Sequence, residues 1–208
     1  VFRPQHEVVP SVSRAQVWLP PAVSLVAVVM PVTGVGEVRF VLVPSPSWNG
    51  ELLVVGAGAK GSNRAFHWDG GTNAPKSLWE ASDVTVGFAS PLLHAGRVYF
   101  LAAAGVLSAF EAASGRALFE SRLPDSAWAS PVGAGDRVYV FGQRGTTTVL
   151  KASDTYQPLA TNTVASDSKV VGVAASQGWW VIRAEKELLG IAPLATSGLR
   201  SREAPGRI

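Results

Sequence analysis

Residues 88–164 of this chain hold two copies of one pattern. The stretch FASPLLHAGRVYFLAAAGVLSAFEAASGRALFESRLP from Phe88 is followed, from Trp128, by WASPVGAGDRVYVFGQRGTTTVLKASDTYQPLATNTV. Ala89-Ser90-Pro91 returns as Ala129-Ser130-Pro131, Arg97-Val98-Tyr99 as Arg137-Val138-Tyr139, and Gly105 as Gly145, each pair 40 positions apart. A fixed period of that length constrains the fold more than any single motif. Each unit has to bury its apolar surface against a neighbouring copy.

Weaker copies flank the pair. QGWWVIRAEKELLGI sets Trp179-Trp180-Val181 against Val138-Tyr139-Val140. Upstream, PSPSWNGELLVV sets Ser45-Pro46 against Ser90-Pro91 and Leu52-Leu53-Val54 against Val98-Tyr99-Phe100, while Leu78-Trp79-Glu80 matches Leu118-Phe119-Glu120. Four units are readable, starting near residues 45, 89, 129 and 170. Inside a unit the apolar runs are short, rich in Val, Tyr, Phe, Trp and Leu, and bounded by Gly, Asp, Asn or Ser turns. In the second unit they predict strands near 89–93, 97–102, 106–110 and 116–121. Four short antiparallel strands per unit of about 40 residues describe a β-propeller blade, a sheet apolar on both faces that is stable only when stacked on others. The expected fold is all-β: an incomplete propeller of about four to five four-stranded antiparallel blades.

The run LLVVGAGAKGSN (52–63) carries Gly56, Gly58 and Gly61 in the spacing G-x-G-x-x-G. A dinucleotide site also needs a helix opening at the third glycine, whose N-terminus holds the pyrophosphate. Here Gly70-Gly71 would stop any helix within ten residues, and the glycines fall where the other units place AAAG and QRG. A hairpin turn is expected instead of a nucleotide site.

The unit ASPLLHAGRVYFLAAAGVLSAFEAASGRALFE (89–120) resembles the pyrroloquinoline-quinone-type (PQQ-like) β-propeller repeat, whose line reads approximately ASP…G.RVYV…G.LYALDA.TG..LW. GTTTVLKA (145–152) and LATNTV (159–164) look like a subgroup of these propellers from secreted or periplasmic bacterial proteins. The resemblance covers roughly residues 45–195. It implies a docking Trp between blades, at Trp79 in the first unit and replaced by Phe119 in the second. It implies a secreted or periplasmic location and a ring of seven or eight blades. With four readable units and Val1 instead of Met at the start, a piece of a larger protein is expected, its remaining blades on the longer chain. Residues 1–44 read as a degenerate preceding blade or extension, 45–195 as the blades and 196–208 as a tail. The quinone dehydrogenases of the family use acidic, metal-coordinating and cysteine-bearing loops, and none is recognisable here. No cofactor and no metal site are therefore expected.

Charge narrows the partners. The net charge of +3 on 208 residues is small, and Arg200, Arg202 and Arg207 against Glu203 place most of it at the end of the chain. No basic face is gathered for nucleic acid. There are no cysteines, so thiolate zinc sites and disulfides are excluded. His6, His67 and His94 show no metal-type spacing. SLVAVVM (24–30) faintly suggests a signal-peptide core but is bracketed by Pro20, Pro21 and Pro31, and it is too short to span a membrane.

FHWDGGTNAPKS (66–77) is the main departure from the period, and insertions in repeat proteins fall on loops of one face. His67, Trp68 and Asp69 are the ligand-binding candidates, an aromatic platform with two polar groups. The plainer alternative, a long hairpin closed by Asp69-Gly70-Gly71, is favoured. Ser90, His94 and Asp136 have the residue types of a hydrolase triad, yet Ser90 belongs to a motif that recurs at Ser130, so no catalytic residue is assigned. Among the Trp residues, Trp48 and Trp128 lie beside inner-strand starts, and one of Trp179-Trp180 has to pack between blades. Arg97 and Arg137 open equivalent strands, while Arg144 and Lys151 break the period. The leading expectation is a non-catalytic propeller scaffold that binds a protein partner or small ligand at one face. The rivals are a fragment of a quinone-dependent dehydrogenase and a carbohydrate-binding or carbohydrate-active propeller, the latter kept open by seven Trp.

Overall fold

The computed structural model describes residues 44–58, 63–164, 168–176 and 178–192, and the antiparallel pairing of β1 (Val12–Ser13) with β2 (Ala27–Val28). Almost all of the expected leading segment 1–44, Gly61 and the tail 196–208 lie outside the described residues. Among those described there is no helix.

Four antiparallel sheets follow one another. The first holds β3 (Ser47–Trp48), β4 (Leu52–Val55), β5 (Asn63–His67) and β6 (Lys76–Ala81). The second holds β7 (Leu92–His94), β8 (Arg97–Leu101), β9 (Val106–Glu111) and β10 (Ala117–Arg122). The third holds β11 (Val132–Ala134), β12 (Arg137–Phe141), β13 (Thr146–Lys151) and β14 (Pro158–Thr163). The fourth has three described strands, β15 (Val170–Ser176), β16 (Trp179–Ala184) and β17 (Leu188–Ile191). Strands pair in chain order within each sheet, and neighbouring sheets meet through their first strands, β3 to β7 to β11 to β15. That is the radial arrangement of propeller blades.

Strand alternation explains the stacking. On β8, Val98 and Phe100 join Leu52, Val54 and Ala65 of the first sheet, while Tyr99 and Leu101 join Val138 and Val140 of the third. On β12 the same alternation sends Phe141 and Tyr139 to Val170, Ile182 and Trp180 of the fourth. A strand apolar on both sides is buried on both sides, and Val98, Tyr99, Phe100 and Leu101 are all fully buried. Each large side chain so buried contributes roughly 1.5–3 kcal/mol.

The hairpins show why the sequence repeats. Between β8 and β9, Gly105 lies at φ 81°, donates to Ala102 O (2.9 Å) and accepts from Leu123 N (2.8 Å). Gly145, at φ 86°, bonds Gly142 O and Val164 N in the same way between β12 and β13. A Cβ at either position would strike a backbone carbonyl, that of Asp125 or Val164. Between β5 and β6, β9 and β10, and β13 and β14 the register slips by one residue, leaving Leu78, Leu118 and Leu159 unpaired in equivalent β-bulges.

Two sequence expectations shift. The first strand of the second unit starts at Leu92 and not at 89, because Pro91 has no N–H and the N–H of Ser90 is bonded to the next sheet. The alignment of the flanking units is off by one residue. The pairs Ser47↔Val54 and Leu92↔Tyr99 make Val54 the counterpart of Tyr99, so Leu52 and Val54 meet Val98 and Phe100 across the interface and do not correspond to them. Likewise Ser176↔Trp179 and Ala134↔Arg137 make Trp180, not Trp179, the counterpart of Val138.

Candidate functional site

Most polar residues singled out by the repeat are spent on holding sheets together. The N–H of Ser45 donates to Ser90 Oγ (2.9 Å), and the N–H of Ser90 donates to Ser130 Oγ (2.8 Å). One motif thus ties three successive sheets into a relay. Nε2 of His94 lies 3.0 Å from Gly135 O in the third sheet and therefore carries its proton there, since a carbonyl only accepts. Asp136 pairs with Arg137 at 3.6 Å. Ser90, His94 and Asp136 share no hydrogen bond, so no triad is assembled.

The docking position behaves as its residue types require. Trp79 Nε1 donates to Ala112 O in the next sheet (2.9 Å), and its ring stacks on Phe110 at 6.0 Å. Phe119 stands in the same place one sheet on, edge to face with Tyr156 at 5.8 Å. Arg97 spans the same interface, with Nε 3.0 Å and Nη2 2.7 Å from Asp154 Oδ1. Among the described residues Arg137 has no such partner and pairs with the adjacent Asp136. Trp128 packs edge to face on Phe88 at 5.1 Å, with Lys169 Nζ 5.3 Å from the indole centroid. Trp180 fills the third interface against Tyr139 and Phe141, and Trp179 points out, 52% exposed.

Sequence reading missed Asp125. Its carboxylate is almost wholly buried and accepts from Arg144 N (2.8 Å) and Arg144 Nε (3.1 Å), so the charge that breaks the period at Arg144 is a structural one. The placement of Asp125 between two strand-like runs was the available signal. Tyr99 was also missed. Its hydroxyl is buried without a hydrogen-bond partner among the described residues, and burial pushes its pKa up, against a smaller opposing effect of Arg97.

The remaining polar cluster is the loop between β5 and β6. Asn63 opens β5 directly after the glycine run, so a strand stands where a nucleotide-binding helix would begin. Trp68 N donates to Glu51 O (2.8 Å), and the Trp68 ring sits 5.5 Å from that of Trp48. Trp48 Nε1 donates to Trp68 O and Trp68 Nε1 to Gly71 O, both at 3.2 Å. Asp69 Oδ1 accepts from Gly71 N (2.9 Å), and Gly70 at φ 79° lies against the Trp48 ring. The loop is a hairpin closed by Asp69-Gly70-Gly71, and a pocket of about 110 Å³ at its tip is lined by His67, Trp68, Asp69, Asn73, Ala74 and Lys76. Trp48 thus belongs to this loop.

Among the described residues no three His, Cys, Asp or Glu side chains gather at one place. The donor set of a metal-bound quinone is not assembled by them. No helix among the described residues is long and apolar enough to cross a membrane.

No protein-family model matches the sequence, and no curated protein matches it. Solved structures do. The chain is similar to BamB from Moraxella catarrhalis, with a TM-score of 0.56 at 15% identity over 68% of this chain and 42% of that one. It is similar to the computationally designed Ika4 protein, with a TM-score of 0.56 at 16% identity over 71% of this chain and 88% of that one. A europium-containing methanol dehydrogenase matches at 0.46 and 16% identity, over 57% of this chain and 24% of that one. The chain thus spans less than half of the BamB chain, and at such identity the likeness is one of fold. By that fold the chain is an all-β array of propeller-type blades.

Proposed function

We propose that this chain is a non-catalytic propeller scaffold of a secreted or periplasmic bacterial protein, completed by further blades of a longer polypeptide, which presents the β5–β6 loop to a protein partner or small ligand. One observation carries this reading. The polar residues Ser90, Ser130, His94 and Arg97 are committed to inter-sheet bonds, whereas the side chains of His67, Asn73 and Lys76 make no hydrogen bond or ion pair among the described residues. A scaffold whose framework groups are satisfied binds through what is left over.

The repeat resemblance supports the location, and the lengthened β5–β6 loop supports the binding role. A benzophenone side chain in place of Asn73 tests it, with the same group in place of Thr161 on β14 as the control. Adducts are expected from position 73 and not from 161. Equal labelling at both, or turnover by the purified chain of quinone-dependent dehydrogenase substrates, would overturn the reading.

A further inference from the structure

We infer that the loop pocket takes a neutral polyhydroxylated ligand, one edge of a hexopyranose, seated against Trp68 and held by Asn73, Lys76, His67 and Asp69. The inference rests on the loop being a binding site, and it names the ligand class.

Three observations carry it. First, the lining balances its charges. Lys76 stands directly across from His67 in the β5–β6 ladder, and Asp69 shares the same pocket. A site for an anion would not line itself with a carboxylate, and one for a cation would not line itself with an ammonium, because like charges at such range repel by amounts that decide binding. Second, donors and acceptors are both present. Lys76 and His67 donate, Asn73 does both, and Asp69 keeps an accepting oxygen, because only Oδ1 is bonded to Gly71 N. Hydroxyl groups are donor and acceptor at once, so a mixed lining suits them. Third, the aromatic wall is fixed and has no polar group to offer. Both indole N–H groups are consumed within the loop, and Trp48 braces Trp68 at 5.5 Å. What is left of Trp68 is ring surface, which meets the C–H face of a sugar and requires no polar partner.

Size sets the extent. A pocket of about 110 Å³ has room for roughly three to four water-sized groups at about 30 Å³ each. That fits one edge of a single ring and falls well short of the several hundred Å³ that enclose a drug-sized ligand. The ligand is therefore held at one residue, as at the end or side of a longer glycan.

Saturation-transfer NMR with methyl glycosides of glucose, galactose, mannose and N-acetylglucosamine tests this, followed by the matching disaccharides. Saturable transfer from at least one is expected. It falls at least tenfold in Trp68→Ala and in Asn73→Ala, the latter an exposed position that leaves the fold intact. About 0.5 M salt leaves it unchanged, since a neutral ligand is not screened. A disaccharide that binds more tightly than its monosaccharide identifies a glycan as the source, and equal affinity identifies a free sugar. No transfer from any glycoside, transfer that survives both substitutions, or binding that salt abolishes would overturn the inference. Benzophenone labelling of a protein through position 73 with no sugar binding would leave the scaffold reading standing and remove this one.

Discussion

At the scale of single residues, two positions carry avoidable cost. Ala95 sits at φ 48° and Gly96 at φ 74° in the two-residue turn between β7 and β8, a pair of positive angles that favours Asn-Gly. Ala95→Asn is expected to raise stability by about 0.5–1 kcal/mol, read from urea denaturation, because Asn tolerates the left-handed region that Ala resists. The buried hydroxyl of Tyr99 is the second. Tyr99→Phe removes an unpartnered donor and is expected to stabilise by about 1 kcal/mol. It also changes the pH profile. Burial raises the Tyr99 pKa above 10.0, so its contribution is unaffected below that value. As pH rises past it the unfolded chain ionises first, and stability falls. The substituted protein should lose less stability than the parent above about pH 10 in the same denaturation series.

Elements were legible where side-chain pattern and turn chemistry agree. The strands of the second and third sheets follow from Arg97-Val98-Tyr99, Gly105 and their counterparts, since each apolar run ends at a glycine the turn cannot do without. Replacing Gly105 or Gly145 by Ala forces a Cβ onto a carbonyl, and each is expected to destabilise by at least about 2 kcal/mol in thermal or urea unfolding. Register was not legible in the flanking units. Leu52-Leu53-Val54 is apolar at every position, so nothing in it says which side faces forward, and a slip of one residue exchanges the faces. The bulges at Leu78, Leu118 and Leu159 were hidden for a similar reason: an unpaired Leu looks like any other strand residue. The pocket was half legible. His67-Trp68-Asp69 announced itself as an insertion, but Asn73, Ala74 and Lys76 join it only through the closure of the hairpin, and Asp125 is felt only when Arg144 folds over it.

At the scale of the whole molecule the described sheets are unequally covered. Each interface places a face such as Tyr139 and Phe141 against the next sheet, yet the corresponding face of the fourth sheet leaves Trp179 52%, Val181 40% and Leu188 72% exposed. A patch of this kind promotes association. Val181→Lys combined with Leu188→Lys is expected to abolish concentration-dependent association in sedimentation velocity, with stability changed by less than about 0.5 kcal/mol.

The serine relay has a consequence for how such a protein changes length. Because the N–H of Ser90 meets the hydroxyl of Ser130 at a separation of 40 residues, cutting out positions 91–130 and splicing Ser90 to Pro131 returns a hydroxyl to the place it left. Trp79 would then find the carbonyl of Ala152 where that of Ala112 stood, since Ala112 and Ala152 make the same bond to Gly96 and Asp136. Val140 and Leu150 would replace Phe100 and Phe110, leaving a looser but continuous seam. Gain or loss of whole units in frame is therefore the mutation this architecture absorbs most easily, and a shortened, still cooperative protein is its signature.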